Sequence, residues 1–517
     1  MRGVRYEMCR WVAGLSTVLL LAVACTSGRG TPSGASPEAA SAGDGNHVPL
    51  RLMYYNIENG GTRISFDNVI KVIEQSGAQV VALGEVMGNT EKVADALGWP
   101  YVDARRAIVS QLPMVPSPGD DPTYALVALQ PGKVAAVANV HLTSGPYGPN
   151  LIGWKDYSLK EALANEKKVR MPEIEPVIET LAPLAEQGIP TFIPGDYNTP
   201  SHRDWTKEMV GARPQIKYAM PWPVTIALED AGFVDAYRAI YPDPTTHPGL
   251  TWPAWRQKVQ GWDPIEGKQH EDRIDMIFSA GPVDVVDAFI AGEEGADVSQ
   301  SVTPWPGDHR AFVAEYEVTL TDVPPPPTLL AVTDPLVEIG TPLDVKFFAP
   351  GSEGERIIVV PEGADEAAAA GEQSTEAQSS GTASFDTAGW EAMAHEVRLL
   401  DASGEVLASA PIWVLDPGAG VTVTTGKESY KVGEPIDVSW YAAPANQFDW
   451  VGIYHRGDKP GAYLLWKYTG ATVGGSAKMG KDTPGGPWPL EPGKYTVRLL
   501  LDDGYKVVAE SDFVIKG

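Results

Sequence analysis

The chain has 517 residues, 43% apolar and 9% aromatic, which is globular material too long for one ordinary core, so two to four domains are expected. Its formal charge of −27 is spread along the chain, with 22 Lys and Arg against 36 Asp and Glu from 51 to 320, and 14 against 28 from 321 to 517. An acidic surface of this kind repels polyanions and argues against a stable nucleic-acid complex. In chain order, Arg2, Arg5 and Arg10 precede an apolar run from Trp11 to Val23 that meets Ala22-Val23-Ala24-Cys25. This is the layout of a bacterial secretory signal over 1–25, too short for a comfortable membrane span, with Cys25 placed for lipidation as in a lipobox. The expected location is outside the cytoplasm, lipid-anchored to the membrane. Cys9 falls in the segment to be removed, so the mature chain is expected to lack disulfides. Residues 26–47, rich in Ser, Gly, Ala and Pro, read as a flexible tether.

From 48 to 321 apolar strand-like runs alternate with amphipathic stretches. Leu52–Tyr55, Val80–Leu83, Tyr124–Leu129, Val134–Val140, Thr191–Pro194, Ile274–Phe278 and Phe312–Val318 read as strands, and Phe66–Ile73 as a helix. A long helical stretch from Leu159 to Ala185 should be broken or kinked by Pro172, Pro176 and Pro183. Four prolines, Pro324–Pro327, make 322–328 a stiff linker. Beyond it the pattern is β only and repeats: Ile339–Val345 matches Val432–Val438, and Val397–Leu400 matches Val497–Leu500. Two tandem all-β sandwiches, 329–416 and 420–517, are the simplest account. Glu362–Thr387, rich in Ala, Glu and Ser, reads as a mobile loop, and Asp502-Asp503-Gly504 as a hairpin turn. No catalytic group is expected in these modules, which suit cell-wall glycan binding or mere spacing.

Three strings carry the chemistry: Gly195-Asp196-Tyr197-Asn198, Arg273-Ile274-Asp275 and Gly307-Asp308-His309. Each lies in or beside an apolar strand-like run, where α/β proteins place functional groups. Hydrolysis of a phosphate ester needs hard oxygen ligands for a divalent cation, a base for water, and groups that neutralise charge on the phosphoryl oxygens. Asn56 and Glu85 also end apolar strands, where an amide oxygen and a carboxylate suit Mg²⁺. Singly, Asn56 is equally a strand cap, Glu85 a helix-start charge and His141 a buried histidine. The ordered set decides for metal-phosphate chemistry.

With Tyr55-Asn56-Ile57, Gly84-Glu85-Val86, His141-Leu142, Thr251-Trp252 and the three strings above, the first part of the chain resembles the endonuclease/exonuclease/phosphatase family, which includes deoxyribonuclease I. The resemblance implies a four-layer α/β/β/α sandwich and a phosphoesterase dependent on Mg²⁺ or Mn²⁺. It implies Asn56, Glu85 and Asp308 as metal ligands, His309 as general base and Asp275 as the carboxylate that orients it. Asp196 would align the attacking water, and Asn198 and His141 would contact the phosphate. Gly84 and Gly307 depart from the residues usual before Glu85 and Asp308, without removing a ligand. Arg273 reads as structural, and the Cys-Asp-Arg string of inositol 5-phosphatases is absent. The second β module, through Trp450–Tyr454 and Tyr495, resembles SKICH-like sandwiches found beside phosphatases. The expected activity is hydrolysis of envelope or extracellular phosphodiesters. A secreted Mg²⁺-dependent nuclease and an inactive envelope-binding lipoprotein stay open as alternatives.

Overall fold

The computed structural model describes residues 46–117, 121–130, 133–255, 270–296, 298–321, 329–332 and 335–517. Cys25, most of the tether, Pro324–Pro327 and Trp262 lie outside them. The first part of the chain is mixed α/β. It opens with β1 (His47–Asn56), α1 (Phe66–Ser76), β2 (Val80–Gly84), α2 (Thr90–Leu97), β3 (Tyr101–Asp103), β4 (Ile108–Ser110) and β5 (Met114–Pro116). There follow β6 (Tyr124–Gln130), β7 (Lys133–Ala138), β8 (Val140–His141), α3 (Gly148–Lys155), α4 (Leu159–Val169), α5 (Met171–Glu186) and β9 (Thr191–Asp196). It closes with α6 (Pro223–Asp230), β10 (Val234–Asp235), α7 (Ala236–Ile240), β11 (Asp275–Ala280), β12 (Val283–Gly292), β13 (Gln300–Ser301) and β14 (Ala311–Thr319). The strands make two seven-stranded sheets, one ordered β13-β12-β14-β1-β2-β4-β3, the other β10-β11-β9-β7-β6-β5 with β8 beside β9.

Side chains alternate across each strand, so each sheet has two apolar faces to cover. On β1, Leu52 and Tyr54 join Ala125, Val127, Phe192 and Ile277 of the second sheet in one core. Met53 and Tyr55 face the other way and pack with Val69, Ile73 and Val93 of α1 and α2. The second sheet packs its outer face, Ala136 and Ile193 included, on Ile174 and Leu181 of α5 and Val224 and Leu228 of α6.

The long helical stretch is two helices, broken at Arg170. Pro172 is placed to break it: it sits in the first turn of α5, with no N–H to bond back to the Lys168 carbonyl, so α4 cannot run on through it. Pro176 and Pro183 lie inside α5, whose buried Ile174 and Leu181 hold it against the core. At the junction Arg170 is fully buried, its guanidinium pairing with Glu166 at 2.7 Å and reaching the carbonyls of Ser144 and Pro146.

The remainder is β-rich. Its first part has β15 (Leu329–Val332), β16 (Leu336–Glu338), β17 (Leu343–Phe348), β18 (Arg356–Pro361), β19 (Gly371–Ser374), β20 (Ser380–Phe385), β21 (Ala394–Leu400) and β22 (Val406–Leu415). Its second part has β23 (Thr422–Thr425), β24 (Ser429–Lys431), β25 (Ile436–Tyr441), β26 (Trp450–His455), β27 (Leu465–Tyr468), β28 (Gly475–Met479), β29 (Gly493–Leu500) and β30 (Val507–Lys516). Each part has a three-stranded and a five-stranded sheet of matching order. One expectation is corrected: Glu362–Thr387 is not a loop. It carries β19, paired with β18, and β20, paired with β17; the only buried residues of β20 are Ala383 and Phe385, so ladder hydrogen bonds outweigh its polar composition.

Candidate active site

The motif residues meet because strand ends meet. Asn56, the last residue of β1, lies level with Gly84 of parallel β2, and Glu85 follows directly. His141 ends β8 level with Asp196 at the end of β9, and Asp275 opens antiparallel β11 opposite Asp196. Asp308 and His309 precede β14, the other neighbour of β1. Two glycines permit the crowding. A Cβ on Gly84 would overlap the Tyr54 hydroxyl, and one on Gly195 would overlap Val140. Glu85 and Asn198 hold φ of 52° and 48°, in the left-handed region that Asn tolerates and Glu disfavours. Glu85 is gripped there by the N–H of Gly60, which donates to its carbonyl at 2.7 Å.

Asp196 is the centre. His309 presents Nδ1 to both oxygens of Asp275, at 3.0 and 3.1 Å, and its Nε2 lies 3.8 Å from Asp196. His141 lies on Asp196 in the same sense, Nε2 at 3.5 Å. Its Nδ1 is 2.9 Å from the carboxylate of Asp503, an ion-pair contact without an aligned hydrogen bond. Asp196 also accepts the backbone N–H of Asn198 at 2.9 Å, while the Asn198 amide donates to the Leu142 carbonyl. Thr251 accepts the N–H groups of Ile274 and Asp275, and the His309 carbonyl accepts from the Trp305 indole. Arg273 takes no part: buried, it forks between Asp204 and Asp235 and braces the segment before Asp275.

Charge is crowded. Burial pushes Asp196 up, and Asp275 pushes it further, against the pull of the two imidazoles. The enclosed pocket and then Asp308 raise Glu85. Burial works against charge on both imidazoles, but Asp275 outweighs it and lifts His309 well above the ordinary range, and Asp503 lifts His141 to about 10.

Among the described residues, Asp196, Asp275 and His309 offer ligand atoms within 4.8 Å of one another. Asn56 links this group to Glu85, its amide 3.3 Å from the Glu85 carboxylate and 3.5 Å from Asp196, while its oxygen accepts the Glu58 N–H. Asp308 Oδ1 is buried without a hydrogen-bond partner beside Glu85, an acceptor left for an electropositive group. An oxygen-rich site with an orphan acceptor fits a hard divalent cation.

The cleft over this cluster is a cavity of about 150 Å³. The α/β part contributes Glu58, Glu85, His141 and Asp308; the C-terminal β region contributes Trp450, Tyr463, Trp466, Tyr468, Asp503 and Tyr505. Asp503 of the C-terminal region, where no catalytic group is expected, lies 2.9 Å from His141 and lines the cleft. Asp502 and Asp503, at φ of 47° and 55°, do form a turn between β29 and β30, and that turn enters the cleft. Trp205, Trp222 and Trp305 of the first part are buried in cores. The aromatic faces at the cleft come from the C-terminal β region, and their sequence sign is the density of Trp and Tyr between Trp450 and Tyr505.

Fold and site thus define a mixed α/β protein with a buried carboxylate–imidazole cluster at its strand ends. No family model matches the chain. An uncharacterised protein of Caenorhabditis elegans is 30% identical over 292 residues, covering 52% of this chain and 91% of the nematode protein, and the chain belongs to its family. Among solved structures, an endonuclease/exonuclease/phosphatase from Beutenbergia cavernae is 15% identical with a TM-score of 0.30, covering 71% of this chain and 99% of that one. An AP endonuclease from Archaeoglobus fulgidus is 16% identical with a TM-score of 0.31, covering 51% and 98%.

Proposed function

We propose that the chain is a divalent-metal-dependent phosphoesterase acting on phosphodiesters outside the cytoplasmic membrane, anchored there through a lipid on Cys25. The observation that carries the reading is Asp196 set between two imidazoles, each backed by a carboxylate, beside the unpartnered oxygen of Asp308. Glu85, Asp308 and the Asn56 amide would hold Mg²⁺ or Mn²⁺, with Asn56 sharing its oxygen or turning its amide. A bound cation polarises the ester and, by its charge, lowers the proton affinity of the nearby imidazoles.

The rest falls to the protein. Asp275 fixes the His309 tautomer with its Nε2 free to take a proton from water. Asp196, within reach of both Nε2 atoms, aligns that water. His141 and the second N–H of Asn198 face the non-bridging oxygens and stabilise charge as it grows. The cleft's lining includes no Lys or Arg among the described residues. That, with the acidic surface, favours small or lipid-borne esters over a polynucleotide. Purified protein with Mg²⁺ or Mn²⁺ should hydrolyse an aryl phosphodiester and stop in excess chelator. Undiminished turnover without metal, or in His309→Ala, would overturn the reading. Plasmid nicking measured beside release of water-soluble lipid headgroups separates nuclease from lipid esterase.

A further inference from the structure

The two imidazoles of the site are held alike but by different parts of the chain. Asp275, like His309, comes from the α/β part, whereas Asp503 comes from the turn that joins β29 and β30. That turn is fixed at several points. The Gly88 N–H donates to Asp502 at 2.8 Å, and the Asp503 N–H donates at 3.0 Å to the carbonyl of Phe448, in a neighbouring loop whose Gln447 amide and N–H donate to the Asn139 and Arg105 carbonyls at 2.9 and 2.7 Å. Met87 lies so close over Gly504 that no Cβ fits there. Tyr468 donates to the other oxygen of Asp503, leaving one oxygen for His141. Both side chains of the pair are about one-tenth exposed, at 10% and 11%, so water screens the contact little.

We propose that the active site is completed by the C-terminal β region, with Asp503 as the positioning residue that orients His141 toward the phosphate. The inference rests on the phosphoesterase reading. It deepens that reading by making the β region part of the enzyme rather than a spacer or glycan anchor. A carboxylate at Nδ1 fixes which imidazole nitrogen faces the cleft, and such outer partners are worth about 10–100-fold when removed.

In the full chain, Asp503→Asn should lower kcat about 100-fold with KM changed by less than about threefold, and Asp503→Glu should restore at least about one-tenth of the lost rate. The same Asp503→Asn change placed in His141→Ala should cost nothing further, because its effect passes through that imidazole. Fully multiplicative losses, or wild-type kcat in Asp503→Asn, would overturn the proposal. If Asp503→Asn does not fold, Tyr468→Phe tests the same link, with a loss of several-fold that vanishes in His141→Ala. Proton NMR gives a readout free of turnover: the His141 Nδ1–H signal should move on Asp503→Asn, and an unmoved signal would also sink the idea. A wild-type protein inert on every diester, with the NMR coupling intact, would count against the phosphoesterase reading alone.

Discussion

The α/β part and the C-terminal β region meet at one cleft and bring opposite materials to it. From the first come carboxylates, an amide and imidazoles set at strand ends; from the second come four aromatic rings beyond Tyr468, and one carboxylate on a turn. Strand-end groups are held by two neighbours on a ladder and can be rigid without large side chains. A turn has no ladder, and here it is steadied by aromatic packing, with Trp450 edge-on to Tyr463 at 5.3 Å and its indole donating to the Gly504 carbonyl. The strand-end polar groups thus sit on the rigid side and the aromatic rings on the packed side.

Substitutions on each side can break that division. The largest effect is expected from His309→Ala, which should lower kcat at least about 1,000-fold, with His141→Ala less severe because it removes charge stabilisation rather than the base. Equal losses from the two would erase the distinction between base and phosphate contact. Next, Arg273→Met should destabilise the α/β part by about 3–5 kcal/mol in denaturant unfolding, since Asp204 and Asp235 lose a buried partner. A change under about 1 kcal/mol would show that Arg238, which also pairs with Asp204, suffices.

On the aromatic side, Trp466→Ala should raise KM several-fold with little change in kcat, read in steady-state kinetics. The smallest effect concerns pH. Asp502 in the turn and Asp449, which accepts its N–H, are buried; burial raises both, Asp449 to about 7, and repulsion from Asp449 adds to the rise in Asp502. A carboxyl raised on folding contributes stability that is full below its unfolded pKa and lost as pH climbs through the folded value, here around neutrality. Melting temperature should fall from about pH 4 to about pH 7, and Asp502→Asn should flatten that fall, since Asp502 Oδ1 has no partner to lose. A pH-independent wild-type melt would remove the effect.

The same division decides what could be read beforehand. Asn56, Glu85 and Asp196 interrupt or end apolar strand runs, and a polar group there is visible in sequence because a strand end has no packing reason for it. The helix break was legible, because Pro172 has no N–H with which to extend α4; the buried i,i+4 pair of Glu166 and Arg170 beside it was not. β19 and β20 were hidden because small polar residues pair through backbone groups alone. Asp503 was hidden for a different reason. Asp-Asp-Gly fully satisfies the demands of a tight turn, so nothing in the string remained to be explained.

The seat of Gly504 beneath Met87 has a consequence for the order of events in biosynthesis. Well over half the chain separates His141 from Asp503, so the β29–β30 turn is synthesised long after the strand ends of the α/β part. A nascent chain can therefore assemble those strand ends early and still lack the Asp503 contact until the β29–β30 hairpin docks. Maturation of the cleft would then wait on that docking.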